Sequence, residues 1–133
     1  MKPRLSYLVG RLDRVLRRRL GEALEPHRLS LPEYTTLSVL QARGGLSNAQ
    51  LARRSLITPQ ATNEVLKRLE ERRLVRRRPD PEHGRIRPAE LTAAGERLLR
   101  SADAAVDAVE RELLAADRTQ LRALLEAALR DLT

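Results

Sequence analysis

Between Gln60 and Arg68 stand Gln60, Ala61, Asn63, Glu64, Lys67 and Arg68, a set of side chains suited to reading or holding a nucleic acid. Glutamine and asparagine amides pair bidentately with adenine, alanine touches a thymine methyl, and lysine and arginine take phosphate or guanine. Ser47, Asn48 and Thr58 precede this set, and Arg78, Arg85 and Arg87 follow it. Taken singly, each is also what any solvated helix carries. The elements that position them have to decide.

Other chemistry finds few residues to work with. The chain has no Cys, which excludes disulfides, cysteine-ligated zinc and thiol redox sensing. His27 and His83 lie far apart and share no ligand spacing, so no metal site is expected. There is no Gly-x-Ser-x-Gly, no phosphate-binding loop and no pair of carboxylates in an apolar setting. The serines fall at cap or turn positions. The residues predict neither an enzyme nor a cofactor.

Stepping along the chain gives the positioning elements. Leu5, Leu8, Val9, Leu12, Val15, Leu16, Leu20 and Leu24 recur in steps of three and four, predicting an amphipathic helix over residues 4–24 that Glu25-Pro26 closes. Arg19 projects onto that stripe, so it either pairs with a carboxylate or marks the stripe's edge. Ser30-Leu31-Pro32-Glu33 is a capping box opening a second helix, with Leu37, Val39 and Leu40 inward and a stop at Gly44-Gly45. Ser47-x-x-Gln50 opens a third helix, which buries Leu51, and Ser55-Leu56-Ile57 forms a turn. Thr58 caps a fourth helix, with Pro59 in its first turn and Val65, Leu66 and Leu69 inward. That inward set leaves the nucleic-acid-type side chains on or near the outer face.

Next come strands over Leu74–Arg78 and Arg85–Leu91, flanking the turn-rich segment 79–84. Pro88 confines the second strand to an edge. A short helix, a turn, a longer helix and a basic hairpin form a winged helix-turn-helix, expected over residues 30–95 within a single domain of residues 1–133. The fold class is thus mainly α with a small β-hairpin wing, joined to a helical dimerisation region.

Charge agrees with this placement. The net charge is +8, with nine basic and four acidic residues in 1–45, thirteen and seven in 46–100, and four and seven in 101–133. Basic charge concentrated over a helix-turn-helix pattern is the footprint of a phosphate-binding face, although arginine-rich composition alone would also produce it.

From Thr92 a long helix carries Leu98, Leu99, Ala102, Ala105, Val106, Val109 and Leu113 on one stripe. Asp117-x-x-Gln120 offers a further capping box before a last helix with Leu121, Leu124, Leu125, Ala128, Leu129 and Leu132. These stripes can bury one another within one chain. Nothing in the sequence covers their second sides, so residues 4–24 and 92–132 are expected to form a homodimer.

The run Leu46–Gly95, with its Leu69-Glu70, Leu74-Val75, Arg85 and closing Leu91-Thr92-Ala93-Ala94-Gly95, resembles the MarR family of bacterial transcriptional regulators. The resemblance covers nearly the whole chain. It implies an obligate homodimer on a pseudo-palindromic operator in double-stranded DNA, acting as a repressor released by a small anionic or phenolic ligand. Two positions depart from the family pattern. Arg73 replaces a glycine before Leu74-Val75, and His83 replaces an acidic residue two positions before Arg85, leaving Glu82 or Asp80 to brace that arginine.

With only Tyr7 and Tyr34 as aromatics, Tyr34 and His27 are the candidates for an effector pocket, and each also fits a half-exposed packing role. No apolar run is long enough to cross a bilayer and no signal peptide is evident, so the expected setting is the cytoplasm, without a membrane partner. The alternative reading is a basic helical dimer that binds an acidic protein or an anionic surface without recognising DNA sequence.

Overall fold

Four helix starts in this chain are set by side-chain oxygens that accept the first free backbone N–H groups. The computed structural model describes every residue except Met1, Arg78, Pro81, His83 and Arg87, and leaves undescribed the side chains of Asp80, Arg85 and Ile86. Its helices are α1 (Leu5–Leu24), α2 (Leu31–Ala42), α3 (Asn48–Ser55) and α4 (Pro59–Glu71), then α5 (Ala93–Glu110) and α6 (Arg118–Leu132). Between α4 and α5 run the strands β1 (Val75–Arg76), β2 (Pro79–Asp80), β3 (Arg85–Ile86) and β4 (Glu90–Leu91).

Both serine capping boxes form. Ser30 Oγ accepts from the Glu33 N–H at 3.2 Å while Glu33 Oε1 accepts from the Ser30 N–H at 2.9 Å. Ser47 and Gln50 repeat the pattern at the same distances. Thr58 Oγ1 accepts from the Ala61 N–H at 3.0 Å, and Thr92 Oγ1 from the Gly95 N–H at 3.1 Å. α1 starts at Arg4 without a side-chain cap, and among the caps expected from the sequence Asp117 is the exception, with none formed and φ −120°, ψ 16°. A capping residue needs extended backbone. Here the Asp117 N–H instead donates to the Leu114 carbonyl at 2.6 Å, closing the reversal between α5 and α6. That reversal also ends α5 at Glu110, so Leu113 falls outside the helix on which its spacing had placed it.

The core gathers where α2, α3, α4 and the base of the wing meet α5 and the end of α1. Leu24, Leu37, Leu66, Leu69 and Leu99 are wholly buried there, with Leu51 beside them. Burying a leucine contributes about 1.5 to 3 kcal/mol, so this cluster supplies most of the drive to fold. On α2 the inward side differs from expectation. Leu37 and Leu40 are buried, Val39 is half-exposed, and Glu33 and Thr36 complete the face.

The wing is built differently from a single continuous hairpin. β1 pairs with β4 through Val75↔Leu91 and Arg76↔Glu90, and β2 pairs with β3 through Pro79↔Ile86 and Asp80↔Arg85. Pro79 and Asp80 therefore belong to a strand, not to the turn. Two residues separate the paired segments on the outgoing side and three, 87–89, on the return. Pro88, which cannot donate to a ladder, lies in that interval.

Arg73 turns the chain from α4 into the wing at φ 58°, taking the left-handed conformation itself. Its carbonyl accepts from Thr92 Oγ1 at 2.7 Å, and the Leu74 carbonyl accepts from the Thr92 N–H at 3.0 Å. Gly95 lies against Leu74, the residue before β1, where a Cβ would collide with the Leu74 carbonyl oxygen. This close approach accounts for the glycine that ends the Leu91–Gly95 run.

The chain's ends look different. Of α1 only Leu24 is buried, and none of α6 is. Leu5, Leu8, Val9 and Val15, and on α6 Leu124, Leu125, Leu129 and Leu132, are exposed. Arg19, the charge on the α1 stripe, pairs with Glu112 beyond α5.

Candidate nucleic-acid interface

α3 and α4 pack together across a turn at Leu56 and Ile57, in which Leu56 takes the left-handed conformation with φ 61°. α3 buries Leu51, Ala52 and Ser55, and α4 buries Thr62, Val65, Leu66 and Leu69. Thr62 satisfies its hydroxyl by donating to the Thr58 carbonyl at 3.0 Å. With one side of α4 committed to the core, Gln60, Asn63, Glu64, Lys67 and Arg68 are exposed, while Ala61 is half-buried.

The other sequence candidates gather at the N-terminal end of this face. Asn48 Nδ2 donates to Asn63 Oδ1 at 2.7 Å, fixing the orientation of the Asn63 amide while its own N–H donors stay available. Ser47 and Thr58 spend an oxygen lone pair on capping, which leaves each hydroxyl proton free to reach a phosphate. Arg68 is shared, because its Nε lies 3.8 Å from Glu33 Oε2 on α2. Arg78 and Arg87 lie outside the described residues. Arg85 is placed in β3 by its backbone, and its side chain and the brace expected from Glu82 or Asp80 fall outside the description.

Sequence reasoning missed the bonds that hold this unit in place. Arg77 binds Glu70 at 2.7 Å and Arg76 binds Glu90 at 2.8 Å, fastening the wing to α4 and closing β1 on β4. Arg72 Nη1 donates to the Arg28 carbonyl at 2.5 Å. Cross-strand pairing could have suggested Arg76–Glu90; no local pattern marks Arg72.

Of the effector candidates, His27 ends the 3₁₀ turn Glu25–His27, half-buried. Tyr34 donates its hydroxyl to Asp103 Oδ1 of α5 at 2.5 Å. Burial and that bond push its ionisation well above the usual tyrosine range. A separate groove of about 500 Å³, between the end of α5 and α6, is lined by Leu113, Leu121 and Leu125 with Asp107, Arg111 and Arg122. Among the described residues no cluster is placed to hold a metal ion, and no helix is long and apolar enough to cross a membrane.

A profile of the MarR family matches residues 28–86. The HTH-type transcriptional repressor Rv2887 of Mycobacterium tuberculosis is 44% identical over 111 residues, which cover 84% of this chain and 80% of that protein. This chain belongs to the MarR family. It is accordingly a winged-helix, DNA-binding transcriptional regulator. Rv2887 in complex with DNA superimposes with a TM-score of 0.81 at 38% identity, over 96% of this chain and 98% of that one. Rv2887 in complex with salicylic acid superimposes at 0.77 and 39%, over 99% and 98%.

Proposed function

We propose that this chain represses transcription as a homodimer on a pseudo-palindromic operator and releases it on binding a small aromatic acid or phenol. Its role is binding, not catalysis. The observation that carries the reading is the division of α4: Thr62, Val65, Leu66 and Leu69 are locked in the core, and Gln60, Asn63, Glu64, Lys67 and Arg68 stand outward on one rigid helix. Gln60 and Asn63 read base edges. Lys67 and Arg68 hold phosphate or guanine, and Ser47, Asn48 and Thr58 hold the backbone at the end of the groove. Arg78, Arg85 and Arg87 extend phosphate or minor-groove contact along the wing.

The exposed leucines and valines of α1 and α6 support dimerisation through residues 4–24 and 92–132, since an apolar surface of this extent gains most from a partner. The complex of Rv2887 with salicylic acid supports an effector of that class. In this chain Tyr34 and His27 are the residues offered to it. Because Asp103 already accepts the Tyr34 proton, an aromatic acid would direct its hydroxyl, not its carboxylate, toward that pair.

The test is affinity for a duplex selected from random sequence against an arbitrary duplex over a salt series. Gln60→Ala and Asn63→Ala should each cost about 1 to 3 kcal/mol on the selected duplex and less on the arbitrary one. Arg85→Ala should weaken both alike and flatten the salt dependence. Footprints should show half-sites about ten base pairs apart, centre to centre. Equal affinity of the unmodified chain for both duplexes would instead favour the basic interaction module.

A further inference from the structure

The C-terminal end of α4 is tied to the rest of the molecule by side chains that the proposed DNA-binding face leaves unused. Besides its bond to the Arg28 carbonyl, Arg72 directs Nη2 to the His27 carbonyl at 3.5 Å, and its Nη1 lies 4.0 Å from Glu33 Oε2. Glu33 is 8% exposed and serves two helices with one carboxylate. Oε1 caps α2 by accepting from the Ser30 N–H, and Oε2 faces Arg68 of α4 and Arg72 just past its end. Arg28, whose carbonyl is held, sits at φ 55° where the chain bends from the 3₁₀ turn toward α2. The residue after Glu33 is Tyr34, which binds Asp103 of α5. The first turn of α2 thus touches α4 through Glu33 and α5 through Tyr34.

We propose that Arg72 and Glu33 are positioning residues for operator binding: they fix the angle at which α4 leaves the α2–α5 scaffold, and so set the half-site spacing that the dimer accepts, without touching DNA. The inference rests on the dimeric DNA-binding reading above. The lever arm is sufficient. α4 has 13 residues and is thus about 20 Å long, so a tilt of about 5° at its C-terminal end moves its N-terminal end by about 1.7 Å. A two-fold axis doubles this to about 3.4 Å, the rise of one base pair. A guanidinium can bridge two carbonyls and a carboxylate at once in a fixed plane, whereas a lysine ammonium on its flexible stem cannot. Arg72→Lys therefore keeps the charge and loses the geometry.

The experiment uses the full chain and four kinds of duplex: one selected from random sequence by the unmodified protein, the same duplex with one base pair inserted or removed at its centre, and an arbitrary duplex. Arg72→Lys and Glu33→Gln should each lower affinity for the selected duplex roughly ten-fold. Both should also shrink the penalty for altered spacing, and Arg72→Lys, which keeps the charge and leaves Arg68 paired with Glu33, should do so with the salt slope and the affinity for arbitrary DNA unchanged. Combined, the two changes should cost less than the sum of the single effects, because both break one junction. If Arg72→Lys leaves affinity and spacing preference intact, the inference is wrong. It is equally wrong if Arg72→Gln lowers the salt slope by about one and weakens arbitrary DNA to the same degree, the signature of a phosphate contact. Should the Glu33 and Arg72 variants fail to fold, Tyr34→Phe, which removes one hydroxyl at the α5 side of the same turn, must relax the spacing preference or the inference fails. An unmodified chain that prefers no duplex would reject the underlying function itself.

Discussion

The lobe around α3 and α4 and the helical arms at the two ends of the chain follow the same apolar periodicity yet reach opposite states. In the lobe the stripe of α4 is closed, with Val65, Leu66 and Leu69 almost fully buried. On α6 a stripe of the same kind leaves Leu124, Leu125 and Leu129 open. A single chain supplies enough apolar surface to enclose the first and not the second. Periodicity therefore specifies which face of a helix is apolar, not whether the chain's own elements cover it.

The largest effects should come from breaking each region separately. Leu66→Ala removes a wholly buried side chain and should cost about 3 kcal/mol, shifting denaturation curves equally at every protein concentration. Leu125→Asp places a charge on the half-exposed α6 face and should abolish the concentration dependence instead, because stability drawn from a partner follows mass action. Light scattering should then report a monomer. A Leu125→Asp chain that stays dimeric would remove α6 from the interface.

Next in size is the seam between the regions. Gly95, in the first turn of α5, lies against Leu74 just before β1, and Gly95→Ala would drive a Cβ into the Leu74 carbonyl oxygen. That oxygen accepts from the Thr92 N–H, so neither backbone can yield freely. Destabilisation of about 1 to 3 kcal/mol is expected, with faster hydrogen exchange concentrated at Leu74–Arg76 and Glu90–Thr92. Exchange accelerated evenly across the lobe would argue against a local seam.

What the sequence disclosed and what it hid divide along physical lines. The caps at Ser30, Ser47 and Thr58 were legible because a cap is decided within four residues. The inward residues of α4 were legible for the same reason, and so were the outward candidates between Gln60 and Arg68, whose positions follow from them. Asp117 shows the limit: it has the right residue three positions before Gln120, but the chain reversal at Leu114 sets its backbone first. The division of the wing into two ladders was hidden because register depends on how many residues each side leaves between the paired segments. Glu33, Arg72 and Asp103 were invisible as a group, since only the folded chain brings them together through α2.

Tyr34 joins the two regions, and its ionisation reports whether that contact persists. The folded state holds its proton more tightly than the unfolded chain does, so the stability it contributes is present below the unfolded tyrosine pKa of about 10 and is lost as pH rises through the higher folded value. In a Tyr7→Phe chain, tyrosinate absorbance should therefore appear only above the ordinary tyrosine range. Asp103→Asn should bring it down toward that range. Titration at an ordinary value with Asp103 intact would mean that the α2–α5 hydrogen bond is not kept in solution.

The smallest effect expected is a gain. Arg73 holds φ 58° where the family pattern has glycine, and a side chain there costs about 1 to 2 kcal/mol. Its backbone bonds, N–H to the Glu70 carbonyl and carbonyl to Thr92 Oγ1, do not need the arginine side chain. Arg73→Gly should relieve the strain but also loosen the unfolded chain, an offset of roughly 0.5 to 1 kcal/mol, leaving a net stabilisation of about 0.5 kcal/mol. Arg73→Gln removes the charge without conformational relief and separates electrostatics from backbone geometry. Chemical denaturation should rank glycine above arginine, with glutamine near arginine. If glutamine matches glycine, the gain comes from reducing the net positive charge, and the left-handed turn is not what strains the junction between α4 and the wing.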